Sequence, residues 1–142
     1  IRFTEIFLNY AEAANEAWGP TGNGGHGYSA YDIIAALHNR AGVGNDYLES
    51  IKTDKDKMRQ LIRNERRIEL SFEGFRFWDL RRWKKELPRE VKGWHIQGET
   101  AQEFYRVTTI YLRSKYSYKD YLWPLKLETI LKDPNLVQNP GW

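Results

Sequence analysis

The chain has no cysteine and a single methionine among its 142 residues. Disulfides, thiolate metal sites and cysteine nucleophiles are thereby excluded, while the redox compartment stays open. No apolar run approaches the length of a membrane span. No signal peptide is present either, yet the chain begins with Ile1 inside a helical pattern, so a fragment or a processed chain is expected. A one-sided charge is also missing: 22 basic residues face 19 acidic ones, for a net charge of +3. Nucleic-acid binders carry a stronger and more segregated imbalance. What the sequence does hold in quantity is aromatic residues, 15% of the total with six Trp and nine Tyr. That load favours a thick core or an aromatic binding surface.

Phe3, Ile6, Phe7, Tyr10, Ala13, Ala14 and Ala17 recur at the spacing of an amphipathic helix, which Gly19 and Pro20 should stop. "GPTGNGGHGYS" reads as a flexible connector. As a phosphate cradle it lacks a preceding strand and the lysine and Ser/Thr of a P-loop. Ser29 and Asp32 have the spacing of a capping box, opening a helix through Ile33, Ile34, Leu37 and Ala41 that "AGVG" closes. Asp54 and Asp56 mark a further start. That helix is expected to run through Met58, Leu61, Ile62 and Ile68 to Phe72, with a short one from Phe75 to Trp83 after Gly74. Pro88 should end the helical part. Residues 91 to 98 read as a loop exposing Trp94, His95 and Gln97. "FYRVTTIYLRS" (104–114) has strand composition, with "YSYKDYLWPL" as a pairing partner or an extended run. A short helix is expected near Leu127 to Leu131. The expectation is one domain over 1–142, a helical core at 1–87 and a loop-rich, strand-containing part at 88–142.

"LIRNERRIELSFEGFRFWDLRRWKK" (61–85) is the most charged stretch. Glu65, Glu69 and Glu73 stand at i, i+4 and i+8, beside the apolar stripe, and repel one another on an isolated helix. Cations must therefore come from elsewhere. Arg66 is expected to reach Glu69 and Arg76 to reach Asp79, with Arg40 or Arg2 supplying more. The structural reading is a helix crossing fastened by Arg–carboxylate pairs through Glu65, Arg66, Glu69, Arg76 and Asp79. A catalytic reading makes Glu65 and Glu69 the acid–base pair of a glycoside hydrolase. Neighbouring arginines oppose it, since an acid catalyst needs a raised pKa. A nucleic-acid reading uses Arg63, Arg67, Arg81, Arg82, Lys84 and Lys85 on phosphates. Interleaved acids oppose that one. His26, His38 and His95 lack metal-ligand spacing, and no nucleophile elbow appears.

"NERRIELSFEGFRFWDLRRW" closely resembles the most recognisable motif of the SusD/RagB family, cell-surface nutrient-binding lipoproteins of Bacteroidota. "IRFTEIFLNYAEAANEAWG", "AYDIIAALHNRAGV" and "DYLWPLKLETILKDPNLVQNPGW" resemble three further family segments in the same order. Only the loops at 19–28 and 86–103 fall outside the resemblance. It implies a mainly α fold, a helical bundle with a tetratricopeptide-like helix pair followed by an irregular C-terminal part with short strands. It also implies that the chain is the C-terminal portion of a longer protein whose lipidated cysteine lies upstream. Such a protein would sit at the outer-membrane surface, anchored only by that lipid. It would bind an oligosaccharide, or a peptide in some members, and pass it to a SusC-like TonB-dependent transporter. The resemblance implies no enzymatic chemistry, no cofactor, no metal and no nucleic-acid partner. A motif shared among binders of different ligands is better suited to scaffold than to recognition.

For a sugar, an exposed aromatic plate beside polar groups is the expected platform. Trp94, near His95, Gln97 and Lys92, is the leading candidate, and Tyr28 in the glycine-rich loop the second. Trp78, Trp83, Trp123 and Trp142 are expected to pack.

Overall fold

The computed structural model describes residues 2–87, 90–112 and 116–142. Two compact units divide the chain, residues 1–76 and 77–142. The fold is mainly α, with one two-stranded antiparallel sheet among the described residues.

The first unit holds α1 (Phe3–Trp18), α2 (Ala30–Ala41), the short α3 (Asp46–Ser50) and α4 (Lys55–Glu69). Local chemistry sets most of their ends. Gly19, at φ 81°, caps α1 and returns its N–H to Asn15 O. Ser29 and Asp32 form the reciprocal box at the start of α2, which satisfies two backbone donors that the first helical turn leaves open. Gly42 closes α2 in the left-handed conformation. Asp54 Oδ1 accepts from the Asp56 and Lys57 N–H groups to open α4. These hydrogen bonds, with Lys57 itself, hold the Asp54 carboxyl below its ordinary value.

The core draws Leu8, Ala11 and Ala14 from α1, Ile33, Ile34 and Leu37 from α2, Leu48 from α3, and Met58, Leu61 and Ile62 from α4. On α1 the buried positions are Thr4, Leu8, Ala11, Ala14 and Asn15. Phe3, Ile6 and Phe7 face outward, and Phe3 is 80% exposed. The expected stripe was therefore displaced by about one residue, or roughly 100° around the helix. Polar Thr4 and Asn15 lie inside because each has a partner. Thr4 Oγ1 accepts from Arg40 Nη1 at 3.2 Å and Asn15 Nδ2 donates to Lys55 O at 3.1 Å. Alanines between them let the neighbouring helices approach closely.

α4 stops at Glu69 rather than continuing to Phe72. Phe72 adopts φ 64° and Gly74 φ 82°, so the backbone turns there and leaves the Phe72 side chain exposed. The 19–28 connector is not loose either. It packs against Trp18, and a Cβ added at Gly24 would lie 2.3 Å from the Trp18 indole.

α5 (Phe75–Arg82) spans the division between the units. The expected helix end at Pro88 lies outside the described residues. In the second unit, β1 (Glu90–His95) pairs antiparallel with β2 (Arg106–Leu112), and α6 (Ala101–Phe104) lies between them in sequence. The loop expected at 91–98 is thus largely a strand. Its polar residues and Gly93 hid the alternation that the ladder reveals. Gly93 leaves room for the Ile110 side chain, whose Cδ1 would lie 2.2 Å from a Cβ there and would have to swing aside. The segment expected to pair with β2 or run extended holds a 3-10 turn, Tyr118–Tyr121. Ser117 and Asp120 open it as a capping box.

α7 (Leu127–Lys132) then leads to a side-chain clasp. Gln138 accepts from Leu125 N at 2.8 Å and donates to Leu125 O at 2.9 Å. Trp142 Nε1 donates to Lys119 O and Leu122 O, each at 3.1 Å. The amide of Gln138 thereby does for residue 125 what a neighbouring strand would do.

Two predictions follow from the packing of α1, α2 and α4. Ile34→Ala empties a site with no solvent exposure and should cost about 2–5 kcal/mol in urea unfolding. Arg59 forks onto Glu16, with Nε to Oε1 at 2.5 Å and Nη2 to Oε2 at 2.8 Å. That contact holds the Glu16 carboxyl below its ordinary 4.5. A depressed carboxylate contributes stability above its unfolded value and loses it as pH falls through the lower folded value. Arg59→Gln should therefore cost under about 1 kcal/mol at pH 7, the pair being part-exposed. The cost should vanish in melts taken well below pH 4.5.

Candidate functional site

Helical spacing sets Glu65 and Glu69 along one side of α4, and Glu73 follows in the turn. Each meets a basic group from another helix or its approach. Glu65 Oε1 lies 3.6 Å from His38 Nε2, both side chains being nearly buried. His38 Nδ1 is in turn 3.0 Å from Asn45 Oδ1. Glu69 Oε2 accepts from Arg40 Nη2 at 2.6 Å. Glu73 takes Arg2, with Nε to Oε2 at 3.2 Å, and Arg2 also donates to Glu69 O.

Arg66 sits elsewhere than expected. It is buried at 4% exposure and donates through Nη1 to Asn9 Oδ1 at 2.6 Å. Asp79 on α5 is likewise buried and accepts from Arg82 Nε at 2.8 Å. Arg76 lies one turn before Asp79 on the same helix. Glu65, Arg66 and Glu69 are thus engaged with residues of α1 and α2, whereas Asp79 pairs within α5.

Tyr28 lines a hollow of about 680 Å³ with Phe3, Phe7, Ile33, Leu37 and Arg40. The Tyr28 backbone is held from α1, its carbonyl accepting from Tyr10 Oη at 2.6 Å. Sequence reasoning placed Tyr28 in a loop but missed Phe3 and Phe7 beside it. The available signal was an apolar stripe on α1 wider than one core face requires. Neither Glu65 nor Glu69 lines this hollow.

Trp94, His95 and Gln97 do not form one cluster. Successive strand residues point to opposite faces, so Trp94 shares its face with Lys92 while His95 takes the other. Trp94 is exposed and opposite Val107, whereas His95 is opposite Arg106. Gln97 follows the strand and is exposed. Two tryptophans expected to pack are instead open: Trp78 is 54% and Trp123 60% exposed. Their ring centroids lie 5.7 Å apart with planes at 37°. Trp142, in the clasp, remains 48% exposed.

Among the described residues, no group of three or more His, Asp or Glu is placed to hold a metal ion. No described helix is long and apolar enough to cross a membrane.

The SusD family model matches residues 1–142, and the chain belongs to that family. It is 29% identical to SusD-like protein P2 of Formosa agariphila, covering 100% of this chain and 25% of that protein. It is also 29% identical to SusD-like protein P38 of the same organism, over 97% of this chain and 23% of the relative. A solved SusD-like protein (BF3747) from Bacteroides fragilis NCTC 9343 superposes with a TM-score of 0.73 at 32% identity. That superposition covers 100% of this chain and 25% of the solved one. The chain therefore spans about a quarter of the length of the relatives it matches.

The exposures of the charged side chains rank their substitutions. Arg66→Ala removes a buried cation from its partners and should cost about 3 kcal/mol or more. Glu69→Ala leaves the half-exposed Arg40 able to hydrate, and should cost about 1 kcal/mol. Thermal melts of the two variants check the order. Equal losses would contradict it.

Proposed function

We propose that this chain is the C-terminal region of a longer glycan-binding protein that serves nutrient uptake at the bacterial surface. The observation that carries the reading is the SusD family match across all 142 residues. On this reading residues 1–142 act as one region, helical first and hairpin-containing later. A lipid anchor on the longer protein holds it to the outer membrane, and a SusC-like TonB-dependent transporter receives the oligosaccharide. The protein binds and releases its ligand without chemical change.

Scaffold and recognition fall to different residues. Glu65, Arg66, Glu69, Arg76 and Asp79 hold helices together. Glu65, Arg66 and Glu69 make contacts between helices, Asp79 pairs with Arg82 within α5, and neither glutamate lines the Tyr28 hollow. Trp94 is the platform for a sugar ring, flanked by Lys92 on its own face of the hairpin. Tyr28 presents a second aromatic edge to its hollow. His95 and Gln97 lie near enough in sequence to contact a ligand extending past the strand end.

Binding should be tested on the longest natural form of the protein, by calorimetry against neutral, acidic and peptide libraries. An oligosaccharide should bind without turnover in a reducing-end assay, and Trp94→Ala should weaken it about tenfold with an unchanged melting temperature. Binding of peptides alone would replace the glycan reading. Sugar release abolished by Glu65→Gln or Glu69→Gln would replace it with a hydrolase. Protease treatment of intact cells, followed by blotting, tests the surface location.

A further inference from the structure

We propose that the hollow between residues 78–84 and the 3-10 turn of the second unit binds a sugar residue bearing a negative charge, either a uronic-acid carboxylate or a sulfate ester. The proposal rests on the glycan-binding reading but concerns a site separate from Trp94 and Tyr28. The hollow is about 560 Å³, within the range of small-ligand sites. Its apolar walls include Trp78, Trp123, Tyr118 and Tyr121. Phe77 meets both indoles edge-on, with centroids 5.0 Å from Trp78 and 6.3 Å from Trp123. Indoles fixed by such edge contacts while keeping half their surface open suit the apolar face of a pyranose ring.

The rim supplies the charge preference. Arg81, Arg82 and Lys84 line the hollow, and among the described residues no acidic one does. Two of these cations are already occupied. The Arg81 guanidinium lies 3.5 Å from the Phe77 ring centroid and donates to Phe77 O at 3.0 Å. Arg82 pairs with Asp79. Asp120 is engaged on the 3-10 turn, chiefly by the Ser117 N–H. Lys84 has no ion pair with any described residue, so its ammonium is available for an anion.

The backbone at Lys84 gives independent support. Lys85 N donates to Leu80 O at 2.9 Å and Lys84 N to Arg81 O at 3.0 Å. This is the Schellman arrangement that ends a helix, and its left-handed position ordinarily belongs to glycine. Here it is a lysine at φ 48°. Favourable interaction with the helix dipole is one return on that strain. The strained lysine stands on the rim of this cationic aromatic hollow. Strain held at an unpaired cation beside an open aromatic pair points to a ligand.

The test uses the longest natural form of the protein and three probes: tetragalacturonate, a sulfated galactan tetrasaccharide and uncharged galactotetraose. One of the charged probes should bind more tightly than the neutral one, and which of them does distinguishes carboxylate from sulfate. Lys84→Gly should leave the melting temperature equal or raised, because glycine relieves the left-handed strain. The same variant should weaken the charged probe about tenfold without affecting the neutral one. Peptide-mapped indole oxidation should modify Trp78 and Trp123 in the free protein and spare them when the charged probe is bound.

Trp78 and Trp123 resisting oxidation in the free protein would show this surface covered by the rest of the chain, and would overturn the proposal. So would charged probes that bind no better than galactotetraose, or a Lys84→Gly variant with unchanged affinity; in those cases glycan binding itself would still stand at another site. Failure of every glycan to bind would remove the glycan-binding reading and this subsite together.

Discussion

Three carboxylates along one side of α4 and its following turn set the constraint on which the first unit depends. Left to an isolated helix, Glu65, Glu69 and Glu73 would repel one another. The fold places a different basic group on each: His38 and Arg40 from α2, and Arg2 from the approach to α1. α4 therefore has to address α1 and α2 at once, with its apolar stripe inward and its acids against their edges. Polar groups that would be costly inside, such as Asn15 and Arg66, are admitted because each finds a partner across a helix boundary. The apolar contacts supply most of the stabilisation, and the charged contacts restrict which helix faces can meet.

Much of this organisation was legible in the sequence, and the reasons are local. Caps at Gly19, Ser29, Gly42 and Asp54 depend on one or two neighbouring residues, so their signals survive without tertiary information. The helix pair and the last short helix were readable for the same reason. Which face of α1 turned inward was not readable. Alanine is indifferent to burial, while buried Thr4 and Asn15 are tolerated only because of residues 36 and 40 positions away. Likewise Glu69 looked as though it should pair with Arg66 three residues earlier, but Arg40, brought close by the helix packing, holds it. The hairpin escaped notice because Gly93 and the polar residues of β1 break the apolar alternation, and only the pairing with β2 brings Ile110 over Gly93.

The candidate sites divide along the same line. Trp94 could be picked out as an exposed aromatic from its polar neighbours alone, but a strand separates it from His95 by turning the two to opposite faces. Trp78 and Trp123, inside the most recognisable motifs, looked like packing residues and stand open. Motif membership identifies the family reliably. It does not say whether a given indole is wall or platform, since that depends on which atoms come to lie on its two faces.

The two units differ in how far they complete themselves. Residues 1–76 enclose a contiguous apolar core built from four helices, whereas the buried apolar residues of the second unit are Leu80 and Leu87 among those described. Order of closure therefore belongs to each unit separately. Residues 1–76 contain all four helices that supply their core, whereas the clasp needs Gln138 as well as Leu125. Within this region the helical unit can close while the segment that Gln138 ties is still being made.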